Sequence, residues 1–338
     1  MLESYKVVKE NHEEVLYMYL SMKYEFADEL NHYNLDEKTT SWLCNERIQF
    51  NGNKVVLVVD GIKTKTIYLN KNKYYSDLET KVTLANGEVI TIHDLLLSLL
   101  FSNIKLTLPF ETLKAVVVLY RSNIIKLLNG HSKIPLTTKH FSYTNYNYYK
   151  LSYPLIYQSN LMLFERAIME TQDEYLIYNN IPIEAYIHIA SNGYTEEASN
   201  IPYLARKESF WDLAYPYYLQ QKFISLEELK NKLNLPLDKD YNIQIMHVSN
   251  SNRIKKIKIG PKIFTDQDLM ILLGLPSSDA TILVEKNGFR FITRGIGNGY
   301  GLSLVGAKAL ANLGCNYKQI LNYYFKDIVL VIKESKTN

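Results

Sequence analysis

Arg294-Gly295-Ile296-Gly297-Asn298-Gly299-Tyr300-Gly301-Leu302-Ser303-Leu304-Val305-Gly306-Ala307 is the most unusual stretch of this sequence. The run Gly288 to Arg294 predicts a strand leading into it, and the small and apolar residues beyond it predict a helix from about Ser303 to Leu313. Gly295, Gly297, Gly299 and Gly301 alternate, so no G-x-G-x-x-G register exists, and no Gly-Lys-Ser/Thr follows. Nucleotide binding by a Rossmann turn or a P-loop is disfavoured on that ground. Glycines at every second residue between a strand and a helix let the backbone pass very close to another segment or to a ligand. Tight packing and a substrate groove both require that.

Downstream of the glycines the pattern predicts a helix over Tyr317 to Phe325 and a strand over Ile328 to Ile332. Upstream, Tyr241 to Val248 and Ile254 to Ile259 read as strands joined by the turn Ser249 to Arg253, and Thr265 to Leu273 as a helix. The basic run Arg253 to Lys258 alternates charge with isoleucine, as the solvated face of a strand does. Phe223 to Leu233 reads as a short helix capped by Ser225, with Glu228 completing a capping box. Strands are expected around Tyr148 to Gln158, Tyr175 to Tyr178 and Pro182 to Ala190, and helices at Asp94 to Ser102 and Phe110 to Leu128. Turn signals at Asn51-Gly52-Asn53, Asp60-Gly61 and Asn86-Gly87 punctuate β-branched runs at Lys54 to Val59, Thr64 to Leu69 and Val89 to Thr91. Val15, Met18, Tyr19, Met22 and Phe26 fall at helical spacing, which predicts an amphipathic helix over Leu2 to Leu30. Hairpins grouped apart from helices argue for an α+β fold with mixed sheets and several packed helices.

The 338 residues carry 38 Lys and Arg against 35 Asp and Glu, a balance of +3 that implies no polyanionic partner. Arginine occurs only at Arg47, Arg121, Arg166, Arg206, Arg253, Arg290 and Arg294, few for phosphate or base recognition, so nucleic acid is not an expected partner. Cys44 and Cys315 are far apart and form no local zinc or redox motif; two free buried thiols are expected, with no metal and no cofactor. Lys9, Glu10, His12, Glu13 and Glu14 follow Met1 where a secretory signal would be apolar. The longest apolar run, Leu95 to Phe101, falls far short of the roughly 18 residues a membrane span needs. As written, the chain is expected to be cytoplasmic, or extracytoplasmic if a leader or anchor was trimmed.

Four ordered blocks carry a family resemblance. Gly295 to Gly314 followed by Tyr317-Lys318-Gln319-Ile320-Leu321-Asn322-Tyr323-Tyr324 is similar to the C-terminal signature of the stage II sporulation protein D / LytB-domain family. Pro109 to Arg121 resembles that family's P-x-E-A-L-K-A helix, Tyr186 to Thr195 its Y-x-H-S-x-S-G-G-x-T segment, and Leu272 to Ser278 its L-G-L-x-S block. The resemblance implies a SpoIID/LytB-like α+β domain over residues 46–333 behind an N-terminal helical extension over 1–45.

It also implies lytic transglycosylase chemistry on peptidoglycan: cleavage of the bond between N-acetylmuramic acid and N-acetylglucosamine with closure of a 1,6-anhydro ring. One carboxylic acid donates its proton to the glycosidic oxygen and then takes the proton of the attacking hydroxyl. Counting back from Pro109, the family's acid position is Asn103, and an amide has no such proton to give. Asn298, Leu304 and Val116 likewise replace the family's histidine and two glutamines. The resemblance therefore implies a site released from catalysis, with Asn103, Lys114, Arg121, His188, Ser191, Asn298 and Ser303 as ligand-binding candidates and Glu111 as a substitute acid. Arg121, in an apolar helix, reads either as a glycan or carboxylate contact or as half of a buried ion pair. His188 reads as structural, and His131 and His140 as solvated. Tyrosine is the compositional outlier, 28 of 338, and Phe141 to Tyr149 interleaves aromatics with Asn and Thr, a composition suited to stacking on sugar faces and equally to an edge strand.

Three functions follow from these readings: a non-catalytic protein binding peptidoglycan glycan strands or a wall-modifying protein, an active transglycosylase with another acid, and an intracellular scaffold of the same fold.

Overall fold

The computed structural model describes residues 2–10, 13–20, 54–59, 62–68, 76–129, 133–236 and 242–331. The expectations for Cys44, His131, residues 21–30 and the turns at 51–53 and 60–61 lie outside them. The chain divides into two compact units, Met1–Tyr74 and Tyr75–Asn338.

In the first unit, β1 (Leu2–Glu10) and β2 (Glu13–Leu20) form an antiparallel hairpin. β2 also pairs in parallel with β3 (Lys54–Val59), which turns back onto β4 (Ile62–Tyr68). The helix predicted over Leu2 to Leu30 is thus replaced, over the described residues, by two strands. The cause is non-local: Val15 and Val56 are both buried and Tyr17 packs on them, a contact that spacing within one segment cannot reveal. The hairpin at 54–68, assigned by the sequence to the domain over 46–333, completes this N-terminal sheet.

The second unit opens with the hairpin β5 (Lys81–Thr83) and β6 (Val89–Thr91), then α1 (Ile92–Asn103) and α2 (Phe110–Leu128). Thr91 caps α1 by accepting from Asp94 N–H. Leu95, Leu96, Leu97, Leu99 and Leu100 in α1 and Ala115 through Leu119 in α2 are all buried, so both helices are apolar around most of their circumference and lie inside the main core. α3 (Tyr146–Ser152) and α4 (Pro154–Glu170) stand where a strand was predicted over Tyr148 to Gln158. Asn145 caps α3 by accepting from Asn147 N–H, Pro154 opens α4, and Tyr157, Leu161, Phe164 and Ile168 recur at helical spacing against the core. The alternation of tyrosine with asparagine mimics a strand period, but the core contacts follow the helical one.

β7 (Tyr175–Tyr178), β8 (Ile181–Pro182) and β9 (Ile187–His188) follow, so the strand expected over Pro182 to Ala190 exists only as two short pieces. A 3-10 turn, Phe210–Ala214, leads to β10 (Leu219–Ser225) and α5 (Leu226–Lys232). Ser225 caps α5 as expected, while Phe223 and Ile224 belong to the strand instead of the helix. β11 (Ile243–Val248), β12 (Ile254–Ile259) and β13 (Lys262–Thr265) form one antiparallel sheet. After α6 (Asp266–Leu272), β14 (Ala280–Glu285) and β15 (Gly288–Arg294) join β10 in another. A second core of Ile224, Leu229, Ile257, Phe264, Leu269 and Phe291 binds these elements. β16 (Leu302–Ser303), α7 (Leu304–Asn312), α8 (Tyr317–Tyr324) and β17 (Val329–Val331) return the chain to the main core. The fold is α+β: small, mostly antiparallel sheets beside a packed group of helices. No described helix is long and apolar enough to cross a membrane.

Candidate functional site

The alternate glycines between β15 and β16 solve a packing problem. The loop runs back along Tyr186 to Ser191, with Ala190 bridged to Ile296 and β16 paired to β9. Gly297 has φ +108°, and a Cβ there would lie 2.6 Å from the Cβ of His188. Gly299 has φ +83°, and a Cβ there would overlap the guanidinium of Arg253. Only glycine permits both that backbone and that proximity. Close packing, one of the two uses the sequence allows for these glycines, is met at Gly297 and Gly299.

His188 is buried, and its Nδ1 lies 3.0 Å from the carbonyl of Tyr300. A carbonyl only accepts, so Nδ1 carries the proton and Nε2 is left with its lone pair. That Nε2 is enclosed without a partner among the described residues. Burial, reinforced by the Arg253 charge, pushes the imidazole pKa down to about 3, so His188 is neutral.

Arg253 sits at the mouth of β12 with no exposure at all. Its Nη1 donates to Asn192 Oδ1 at 3.0 Å and to the Tyr194 carbonyl at 3.3 Å, and the Glu196 carboxylate lies 3.7 Å away. Its Nε and Nη2 have no partner among the described residues. Burial lowers its pKa below the ordinary guanidinium value, opposed by Glu196 and Asp279. The basic run beginning here forms the expected strand, but Arg253 itself is interior, not solvated.

A buried carboxyl, Asp212, ties the rest together. It accepts from Ser191 N–H at 2.7 Å and from the Ser303 hydroxyl at 2.9 Å, while Ser303 also caps α7 through Gly306 N–H. Burial raises the Asp212 pKa and these hydrogen bonds lower it in part. Asn298 Oδ1 accepts from Tyr300 N–H and so shapes the loop. His188, Ser191, Asn298 and Ser303 are thus brought to one place. Asp212, Arg253, Asn192 and Glu196 were not foreseen there; an acid inside the apolar run Phe210-Trp211-Asp212-Leu213 was the available signal.

The remaining candidates make their contacts elsewhere. Arg121 pairs side-on with Asp77, at 2.8 Å from Nε and 2.7 Å from Nη2, and its Nη1 donates to the Glu174 carbonyl. Both side chains are 1% exposed, so of the two readings of Arg121 the structure has the buried ion pair, with no face of the guanidinium open to a ligand. Lys114 pairs with Glu111 and Glu170 and lies 4.8 Å from the Tyr317 ring centroid. Glu111 accepts from Lys114 and, at 2.8 Å, from Tyr317 N–H, so both of its oxygens are engaged. Asn103 is half-buried at the end of α1. Its Nδ2 donates to the carbonyls of Leu99 and Ser142, each at 2.8 Å, and its Oδ1 accepts from Ser142 N–H at 3.0 Å.

His140 corrects another expectation: its side chain is 8% exposed and bonds Glu184 at 2.7 Å, with burial lowering its pKa. Cys315 is a free, half-buried thiol. Among the described residues no group of three or more His, Cys, Asp or Glu is placed to hold a metal ion.

Fold and site together define an α+β protein in which a glycine-alternating loop lies against a buried neutral histidine and a buried arginine. Stage II sporulation protein D of Bacillus subtilis (strain 168) is 30% identical over 253 residues, covering 71% of this chain and 74% of the relative. Its counterpart in Bacillus amyloliquefaciens is 29% identical over 255 residues, again 71% and 74%. An uncharacterized protein of Brachyspira hyodysenteriae is 26% identical over 330 residues, 88% of this chain and 86% of the relative. No protein-family model matches the chain. The chain belongs to the stage II sporulation protein D family.

Proposed function

We propose that this chain is a sporulation-related protein of the cell wall that holds peptidoglycan glycan strands, or a wall-modifying partner bound to them, without cleaving them. The observation that carries the proposal is Asn103. Both ends of its amide are committed to backbone groups of Leu99 and Ser142, where the resemblance calls for a carboxylic acid. A side chain so placed ties the end of α1 to the segment before α3, and its amide has no acid proton to transfer.

Glu111, the substitute acid, supports the same reading, since Lys114 and Tyr317 N–H occupy its two oxygens. We place the role in the unit beginning at Tyr75, within the family-like domain over 46–333.

Purified protein and an Asn103→Glu variant, each mixed with peptide-free glycan strands, test the proposal by sedimentation and by mass spectrometry of the supernatant. Sedimentation without anhydro sugars is the expected result for the unaltered chain. Anhydro sugars released by the unaltered chain sink the non-catalytic reading, and failure to sediment sinks glycan binding and leaves the scaffold.

A further inference from the structure

Immediately after Asn103 the chain borders a cavity of about 450 Å³, lined most prominently by Phe101, Lys105, Tyr148, Tyr149, Tyr153 and Asn160. We infer that this cavity is a sugar-ring site, taking an N-acetylated glycan unit that bears a carboxylate. The inference rests on the glycan reading above and names where the glycan is held.

The aromatic surface is set before any ligand arrives. Tyr149 stacks on the buried Phe101 with centroids 5.6 Å apart and planes 24° apart. Tyr148 meets Tyr149 edge-on at 5.6 Å, and Tyr153 lies 5.9 Å from Tyr148 with 70° between the ring planes. Tyr148 and Tyr153 are nevertheless about half exposed, at 48% and 47%. Wet, fixed aromatic faces with hydroxyls at the edge suit a ligand that is apolar on one face and hydroxylated at its rim, as a pyranose is. A fully apolar ligand would leave those hydroxyls opposite hydrocarbon.

The polar lining sharpens the ligand. Lys105 Nζ donates to the Phe101 carbonyl at 3.2 Å and lies 5.3 Å from the Tyr149 centroid, which holds an ammonium with three donors at the edge of the cavity. No carboxylate is among the lining residues, so the charge calls for an acidic group on the ligand. Asn160 Nδ2 donates within its own helix to the Ile156 carbonyl and Ser159 Oγ, which turns its carbonyl oxygen to acceptor duty, suited to an acetamido N–H or a sugar hydroxyl.

Titration calorimetry tests this with three probes: a peptide-free tetrasaccharide of N-acetylglucosamine and N-acetylmuramic acid, chitotetraose, and a polyproline decapeptide. The unaltered chain should bind the muramic tetrasaccharide more tightly than chitotetraose, which has the acetamido groups but no carboxylate. Tyr148→Ser with Tyr153→Ser should weaken both sugars roughly tenfold, whereas the paired Phe substitutions keep most of the affinity. Lys105→Gln should abolish the preference for the muramic probe and leave chitotetraose unchanged; it carries the test if the serine variant loses its native circular dichroism. Sugar binding that is indifferent to all these changes overturns the site while leaving the glycan reading intact. Absence of sugar binding by the unaltered chain ends both, and polyproline binding that depends on Tyr148 and Tyr153 reassigns the cavity to a peptide.

Discussion

Arg121 and Arg253 are both entirely enclosed, yet they are treated oppositely. Arg121 makes a side-on pair with Asp77 and gives its other nitrogen to the Glu174 carbonyl, so every edge of the guanidinium is used. Arg253 has one nitrogen satisfied, its nearest carboxylate at 3.7 Å, and a whole edge facing the glycine loop without partners among the described residues. A buried cation stabilises only when geometry and hydrogen bonds offset its desolvation. The first arginine is a structural rivet on α2. The second is a charge kept in place by the packing around it.

Removing each arginine should therefore give unequal results. Arg121→Met leaves the buried Asp77 without its partner, and should cost about 3–5 kcal/mol in urea unfolding. A loss below about 1 kcal/mol would erase the distinction.

Next in size is Gly299→Ala, about 2–3 kcal/mol, because the methyl needs left-handed backbone and overlaps the Arg253 guanidinium. In an Arg253→Ala background part of that cost should vanish while the backbone part stays. A double-mutant cycle with zero coupling would show that the two do not press on each other.

Acid should act through His188. Its folded pKa is depressed to about 3 from an ordinary 6.5, so the unfolded chain binds the extra proton between those values. The stability is complete above about pH 6.5 and is lost as pH falls toward 3; about 2 kcal/mol should go between pH 7 and 5. His188→Gln should flatten that portion of the urea-midpoint profile, and an unchanged slope would remove the histidine from the account.

Arg253→Met is the smallest effect, a cost of about 1 kcal/mol or less, or a gain. Glu196 keeps Lys255 at 3.6 Å and the Ser249 hydroxyl at 2.9 Å, so no buried carboxylate is stranded. A loss as large as that of Arg121→Met would mean that the unused edge has partners in solution.

Local signals read well where neighbours in sequence are also partners in space. The helix at Phe110 to Leu128 and the strand at Gly288 to Arg294 follow from periodicity, and the Ser225 cap from capping chemistry. They fail where the deciding contact is distant. Val15 needs the strand at Lys54 to Val59, and the tyrosines at 146 to 157 need the core to reveal a helical period. The site divides in the same way. His188, Ser191, Asn298 and Ser303 lie in family-like blocks, whereas Arg253 reads as one more surface cation until Asn192, 61 residues away, is seen holding it.

Tyr317 carries a consequence for how the chain is made. Its backbone N–H holds Glu111, 206 positions earlier, and its hydroxyl holds Glu174, whose carbonyl receives Arg121. The helix at the centre of the main core is therefore fastened by a residue synthesised roughly 10–40 s later at ordinary elongation rates. Until it emerges, the leucines and valines of the first two core helices have no complete enclosure. Contacts this distant slow folding, because a long loop must close before they form, so the first two core helices stay incompletely packed on the nascent chain until Tyr317 is in place.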